Sequence, residues 1–97
     1  MLDADQFTRI AKALADPRRF ELLQMIAAEE EVACKRMVER FPVSQATISH
    51  HLKELATAGL IEARREGQCG HYRFRPAVLA EYLGALECRL GVVRTPA

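Results

Sequence analysis

The stretch FPVSQATISHHLKELATAGLIEARREGQCGHYRFR, Phe41 to Arg75, reads as a turn, a helix, a second turn and a two-stranded ribbon. Ser44 has the character of an N-cap, since its hydroxyl can accept from the free backbone N–H of Thr47, and Pro42 discourages an earlier start. Ile48, Leu52, Leu55 and Ala56 then fall at i, i+4, i+7 and i+8, one apolar stripe on a helix. Gly59 stands where a left-handed cap would end it. The other side carries Ala46, Thr47, His50, Lys53, Glu54 and Thr57, and near the helix start it is short, polar and free of acids. A helix that enters the DNA major groove needs such a face, with donors and acceptors near its N-terminus and no carboxylate to repel phosphate.

The second half of the stretch alternates, in LIEARRE and again in HYRFR. Along a strand, Tyr72 and Phe74 share one face while His71, Arg73 and Arg75 share the other. Gly67 and Gly70 bracket a short turn, so the expectation is a hairpin, or wing, with basic residues on one side. An ordinary surface hairpin explains the alternation but not the arginines gathered beside a short polar helix face. The pattern points to nucleic acid. Gln45, Thr47, Ser49 and His50 are the candidates for base contact. Ser44 and His71 belong to the same expected surface, with Lys53, Arg64, Arg65 and Arg73 nearer phosphate.

Three segments together carry a likeness to a known family: KALADPRRFELLQMI (Lys12–Ile26), SQATISHHLKELATAGLIEARREG (Ser44–Gly67) and HYRF (His71–Phe74). With the flanking helices the chain resembles, over nearly its whole length, a winged helix-turn-helix repressor of the ArsR/SmtB type. The resemblance implies a homodimer, a double-stranded operator with inverted symmetry, and often a small inducer such as a metal ion.

Composition fits one small domain over residues 1–97. With 49% hydrophobic residues the chain is not of a disordered type. No apolar run approaches the roughly 20 residues of a membrane span, and no signal-peptide pattern opens the sequence, so a cytoplasmic location and no membrane partner are expected. Three cysteines make an odd number for a disulfide framework. The net charge is only +1, but it is unevenly spread: residues 1–43 hold seven basic and eight acidic side chains, residues 44–75 five basic and three acidic with all three histidines. The positive excess lies in the stretch assigned to DNA.

Elsewhere, Phe7, Ile10, Ala11 and Leu14 mark an amphipathic first helix, and Asp16-Pro17 restarts the chain as cap and first residue of a second. Phe20, Leu23, Ile26 and Ala27 are its expected buried stripe. The run Glu29-Glu30-Glu31 could suggest a carboxylate metal site, but three neighbours cannot converge on one ion, and a solvated loop is expected. Cys34, Met37, Val38 and Phe41 predict a short helix supporting the DNA-reading one. Adjacent His50 and His51 project about 100° apart and cannot easily chelate one ion. His50 falls on the DNA face and His51 nearer the core. Cys69 is expected in the wing turn. Pro76 opens a last helix, with Leu79, Leu83, Leu86 and Leu90 along one stripe and Ala80, Gly84, Cys88 and Gly91 on another. Small residues let a second backbone come close.

The expected fold is mainly α with a small β-hairpin wing, a winged helix-turn-helix. Its dimer interface is expected from Phe7, Ile10, Leu79, Leu83, Gly84, Leu86 and Leu90. Cys34 and Cys88 are the candidates for sensing. Each can be a thiolate ligand to As(III), Zn(II) or Cd(II), a partner in a disulfide, or simply a small packing residue. Many arsenic- and cadmium-responsive members of the family that the chain resembles have a Cys-Val-Cys pattern in this region, whereas this chain has Val32-Ala33-Cys34-Lys35, with one thiol. No such ligand is needed for binding DNA. An enzyme is not expected: Ser49 and His50 are adjacent rather than mutually oriented, and no phosphate-binding glycine loop occurs. The alternative of another class is a winged-helix module that binds protein and has no sensing site.

Overall fold

The computed structural model describes residues 2–66 and 69–92, apart from the side chains of Glu66 and Cys69. The chain runs α1 (Ala4–Ala15), α2 (Pro17–Ala27), β1 (Val32–Ala33), α3 (Cys34–Arg40), α4 (Gln45–Thr57), β2 (Ile61–Glu66), β3 (Cys69–Phe74) and α5 (Pro76–Arg89). This is a mainly helical fold with a small antiparallel sheet, the winged helix-turn-helix architecture. The helix starts other than that of α3 follow the sequence rules. Asp3 accepts from the Gln6 backbone N–H at 2.8 Å, and Asp16 from that of Arg19 at 2.9 Å. Ser44 accepts from that of Thr47 at 3.1 Å, and Pro17 and Pro76 occupy first helical turns.

At the end of α4, Gly59 has φ +84°, a left-handed conformation that strains any residue with a Cβ. The Gly59 N–H donates to Ala56 O and the Leu60 N–H to Leu55 O, the pair of bonds that closes a Schellman turn. The Gln6 side-chain amide donates to Ala58 O at 3.3 Å and leaves no room over Gly59, where a Cβ would lie 2.9 Å from Gln6 Nε2. Gly91, expected within the last helix, instead ends it at φ +69° with the same two-bond pattern.

The core gathers one stripe from each helix. Ile10, Leu22, Ile26, Met37, Ile48, Leu52 and Leu55 are fully or almost fully buried, with Val32, Leu60 and Ile61 from the sheet side. At about 1.5–3 kcal/mol per buried large aliphatic side chain, this cluster dominates the favourable side of folding. Two expected stripes are rotated. On α2 the buried residues are Leu22, Leu23 and Ile26, while Phe20 and Ala27 face out. Leu22 and Ile26 form an i, i+4 ridge that Phe20, on the far side, cannot join. On α5 the buried residues are Val78 and Tyr82. Leu79 and Leu86 are half-buried, Leu83 is 44% exposed and Leu90 71% exposed.

The wing has three strands in the order β1-β3-β2, all antiparallel, rather than the two expected. Val32 pairs with Tyr72 and Ala33 with His71. Two residues are too short to show an alternating pattern in sequence. In the hairpin Glu62 faces Arg73, Ala63 faces Tyr72, Arg64 faces His71 and Arg65 faces Gly70. Cys69, expected in the turn, is the first residue of β3, paired with Glu66. Of the turn expected between Gly67 and Gly70, Gly67 and Gln68 lie outside the described residues.

Candidate nucleic-acid interface

Burial of Ile48, His51, Leu52 and Leu55 fixes the rotation of α4 about its axis. As a consequence Gln45, Ala46, Thr47, Ser49, His50 and Lys53 are all exposed, on a helix whose first acid, Glu54, comes late. Ser44 is exposed too, but its hydroxyl is engaged twice: it accepts from Thr47 N–H and donates to Thr47 Oγ1 at 3.0 Å. It therefore fixes the start of the helix. Gln45 and Ser49 line a cleft of about 420 Å³ between α3, α4 and the wing, together with Cys34, Lys35, Val38, Arg65, Gly70 and Tyr72. Burial pushes the Tyr72 phenol up, so it remains a protonated donor at neutral pH. Gly70 is needed for space rather than for a turn, because a Cβ there would lie 2.8 Å from the Tyr72 hydroxyl oxygen.

The wing divides the expected basic residues between two faces. Arg65 shares the cleft face with Gly70 and Tyr72. Arg64, His71 and Arg73 lie on the outer face, where they surround Glu31. Glu31 Oε1 accepts from Arg64 Nη2 at 2.5 Å and Oε2 from Arg64 Nε at 3.4 Å; His71 Nδ1 is 3.5 Å and Arg73 Nη2 3.9 Å from the same carboxylate. The hydrogen bond from Arg64 is the main cause that holds this carboxyl below the usual range, with the His71 and Arg73 charges adding. Glu29 pairs separately with Arg36 at 2.6 Å. The acidic run is thus not a plain solvated loop: two of its three residues have distinct cationic partners. Sequence reasoning missed Glu31 because its face is set by β1, which has no signal of its own. It also missed Lys35 and Tyr72 as cleft residues.

Cys34 is half-buried at the start of α3, in the cleft, and Cys88 is exposed on α5; neither is in a disulfide. Among the described residues no three of His, Cys, Asp and Glu are grouped to hold a metal ion. Of the expected interface residues, Ile10 is fully buried inside the subunit. The Phe7 ring meets Tyr82 at 5.1 Å between centroids, with the Arg89 guanidinium 4.0 Å from the Phe7 ring centroid, so α1 and α5 pack through it. Among the described residues, nothing beyond the helix's own backbone and Gly84's chain neighbours lies within 4 Å of where a Gly84 Cβ would be, so their packing does not require glycine there. No helix among the described residues is long and apolar enough to cross a membrane.

Comparison with known proteins agrees with this geometry. The family model described as a helix-turn-helix domain matches residues 14–64. An arsenical resistance operon repressor of Staphylococcus xylosus is 32% identical over 90 residues, 93% of this chain and 82% of the relative. Among solved structures, an ArsR-like transcriptional regulator from Rhodococcus sp. RHA1 superposes with a TM-score of 0.78 at 30% identity, covering 90% of this chain and 80% of that one. A homodimeric winged helix-turn-helix DNA-binding domain from Mycobacterium bovis does so at 0.70, also with 30% identity, over 96% of this chain and 86% of that one. The chain belongs to the ArsR/SmtB family of winged helix-turn-helix transcriptional regulators; it is a DNA-binding regulator and not an enzyme.

His51 gives this site a pH dependence. It is 8% exposed, on the buried side of α4, and its Nδ1 makes no hydrogen bond within the described protein. Burial pushes its pKa below the ordinary value; the Asp16 charge opposes this less strongly, while Arg19, His50 and Arg18 act with burial. The folded state thus binds this proton less readily than the unfolded chain. The stability it confers is full above the ordinary histidine value of about 6.5 and is lost as pH falls from there toward the folded value. Thermal unfolding of the wild type should therefore drop between about pH 7.5 and 5.5, and His51→Leu should flatten that drop. Equal drops in both proteins would show that His51 is not the group responsible.

Proposed function

We propose that this regulator is a homodimeric repressor that reads an operator of two inverted half-sites, about one helical turn apart, through paired α4 helices. The observation that carries it is the α4 face itself: exposed Gln45, Thr47, Ser49 and His50 at the helix start, with Lys53 behind them and Arg65 across the cleft. Gln45 suits a bidentate contact to adenine, and the Thr47 methyl suits the thymine methyl. Dimerisation is supported by α5, where Leu83, Leu90 and Val92 remain uncovered in one subunit beside an open Gly84. Half-buried Leu79 and Leu86 extend the same patch. The Mycobacterium bovis domain, of the same fold, is a homodimer by its description.

Release from the operator is assigned to a small inducer acting on thiols, in keeping with the arsenical resistance function in the Staphylococcus xylosus relative's name. Cys34 adjoins α4 through the cleft and Cys88 rides on α5, so a ligand on either one could change the spacing of the two α4 helices. Two such thiols leave a soft-ion site short of ligands within one chain, so As(III), Zn(II) or Cd(II) would need a further donor, from the second subunit or from elsewhere.

Three outcomes follow. Gln45→Ala and Thr47→Ala should each cost about 1–3 kcal/mol of operator binding and relax preference at one base position, read by competition with single-base operator variants. Unchanged preference would sink the α4 assignment. Leu83→Glu should shift sedimentation from dimer toward monomer, and a wild type that is monomeric at micromolar concentration overturns the dimer. Whichever of arsenite, Zn(II), Cd(II) or peroxide releases the wild type from DNA should fail to release the Cys34→Ser, Cys88→Ser double variant; release identical to wild type takes both thiols out of the mechanism.

A further inference from the structure

We propose that Glu31 sets how much of the wing's positive charge reaches DNA: its carboxylate holds Arg64 and Arg73 on the outer face of the wing, in place of a backbone phosphate. Arg65 is then the hairpin arginine that acts on the duplex. The inference rests on the DNA-binding role above. It begins from register. Val32 is fully buried and pairs with Tyr72 on the core side, so its neighbour Glu31 must project from the opposite face. Arg64, His71 and Arg73 share that face, because Arg64 pairs with His71 and Arg73 with Glu62. Glu31 reaches across β3 to Arg64 on β2, with both carboxylate oxygens bonded to one guanidinium, and stands 3.9 Å from Arg73 Nη2.

A carboxylate and a phosphate compete for the same planar fork of donors. With Glu62 opposite Arg73, the described side chains of the outer face set the Arg64 and Arg73 guanidiniums beside the Glu31 and Glu62 carboxylates, whereas Arg65 lies on the other face, in the cleft with Gln45 and Ser49. The ion pairs are open to water, with side-chain exposures of 53% for Arg64, 52% for Arg73 and 26% for Glu31. Exposed pairs of this kind add little to folding stability. They do determine how many cations are available to displace counterions from the duplex. Glu31 is therefore a positioning residue whose effect belongs in the salt dependence of binding rather than in unfolding.

The test measures affinity against salt from about 50 to 200 mM on a duplex of about 30 base pairs taken from upstream of the protein's own gene, and on a mixed-sequence duplex of equal length. All measurements are made at one fixed pH of about 8. Glu31→Gln should tighten binding several-fold at low salt and steepen the log–log slope by about 0.9 for each arginine released, up to about 1.8. Its thermal midpoint should stay near that of the wild type. In the wild-type background Arg65→Ala should flatten the slope by about 0.9, while Arg64→Ala and Arg73→Ala leave it unchanged. In the Glu31→Gln background the latter two should each remove part of the gain. A Glu31→Gln slope equal to or shallower than wild type overturns the proposal. So does a flatter slope for Arg64→Ala or Arg73→Ala in wild-type background, a result that does not depend on how Glu31→Gln folds. Wild type that binds neither duplex would instead count against the DNA-binding role.

Discussion

The face that α4 leaves exposed depends on the rotation of the helix about its own axis, and that rotation is set by burial. Ile48, Leu52 and Leu55 have no exposed surface to speak of, and they meet Ile10, Leu22, Ile26 and Met37 from three other helices. A turn of α4 by one residue would cost several such burials at about 1.5–3 kcal/mol each, far more than any cap or surface pair contributes. The ends of the helix are fixed by local chemistry. Ser44 ties down the first turn, and Gly59 with Gln6 closes the last and sends the chain directly into β2. The exposed face of Gln45, Thr47, Ser49 and His50 is thus the complement of a core.

The wing works on a different principle. Its inner face joins the core through Ile61 and Val32, while its outer face is polar and tied together by ion pairs. A period of two then separates neighbours: Arg64 and Arg65 are adjacent in sequence but belong to opposite surfaces. The basic wing is therefore two chemically different surfaces, one shared with the recognition cleft and one occupied by Glu31. Arginine count alone overstates what such a wing can bring to phosphate.

The last helix carries two sorts of apolar residue. Val78 and Tyr82 bind it to its own subunit, with Phe7 reaching across from α1. Leu83, Leu90 and Val92 do not enter that core. They stay exposed, Leu83 next to Gly84 in the chain.

The helices, the caps at Asp16 and Ser44 and the exposed face of α4 were all readable from the chain. Asp16-Pro17, Ser44 and Gly59 act through bonds to residues only a few positions away, so their signals are local and were legible. The period of α4 likewise marked Ile48, Leu52 and Leu55 as core and Gln45, Thr47 and Ser49 as surface. Tertiary structure decided the rest. Phe20 is exposed because the i, i+4 ridge of Leu22 and Ile26 faces the core, and a count of apolar residues on one short helix does not say which ridge will pack. The leucines of α5 looked like a single stripe, yet Val78 and Tyr82 are the ones the fold buries. Glu31 looked like a solvated charge among three. Its meeting with Arg64, 33 residues away, needs a two-residue strand to pair with β3, and so short a pairing is fixed by the surrounding core rather than by any pattern of its own.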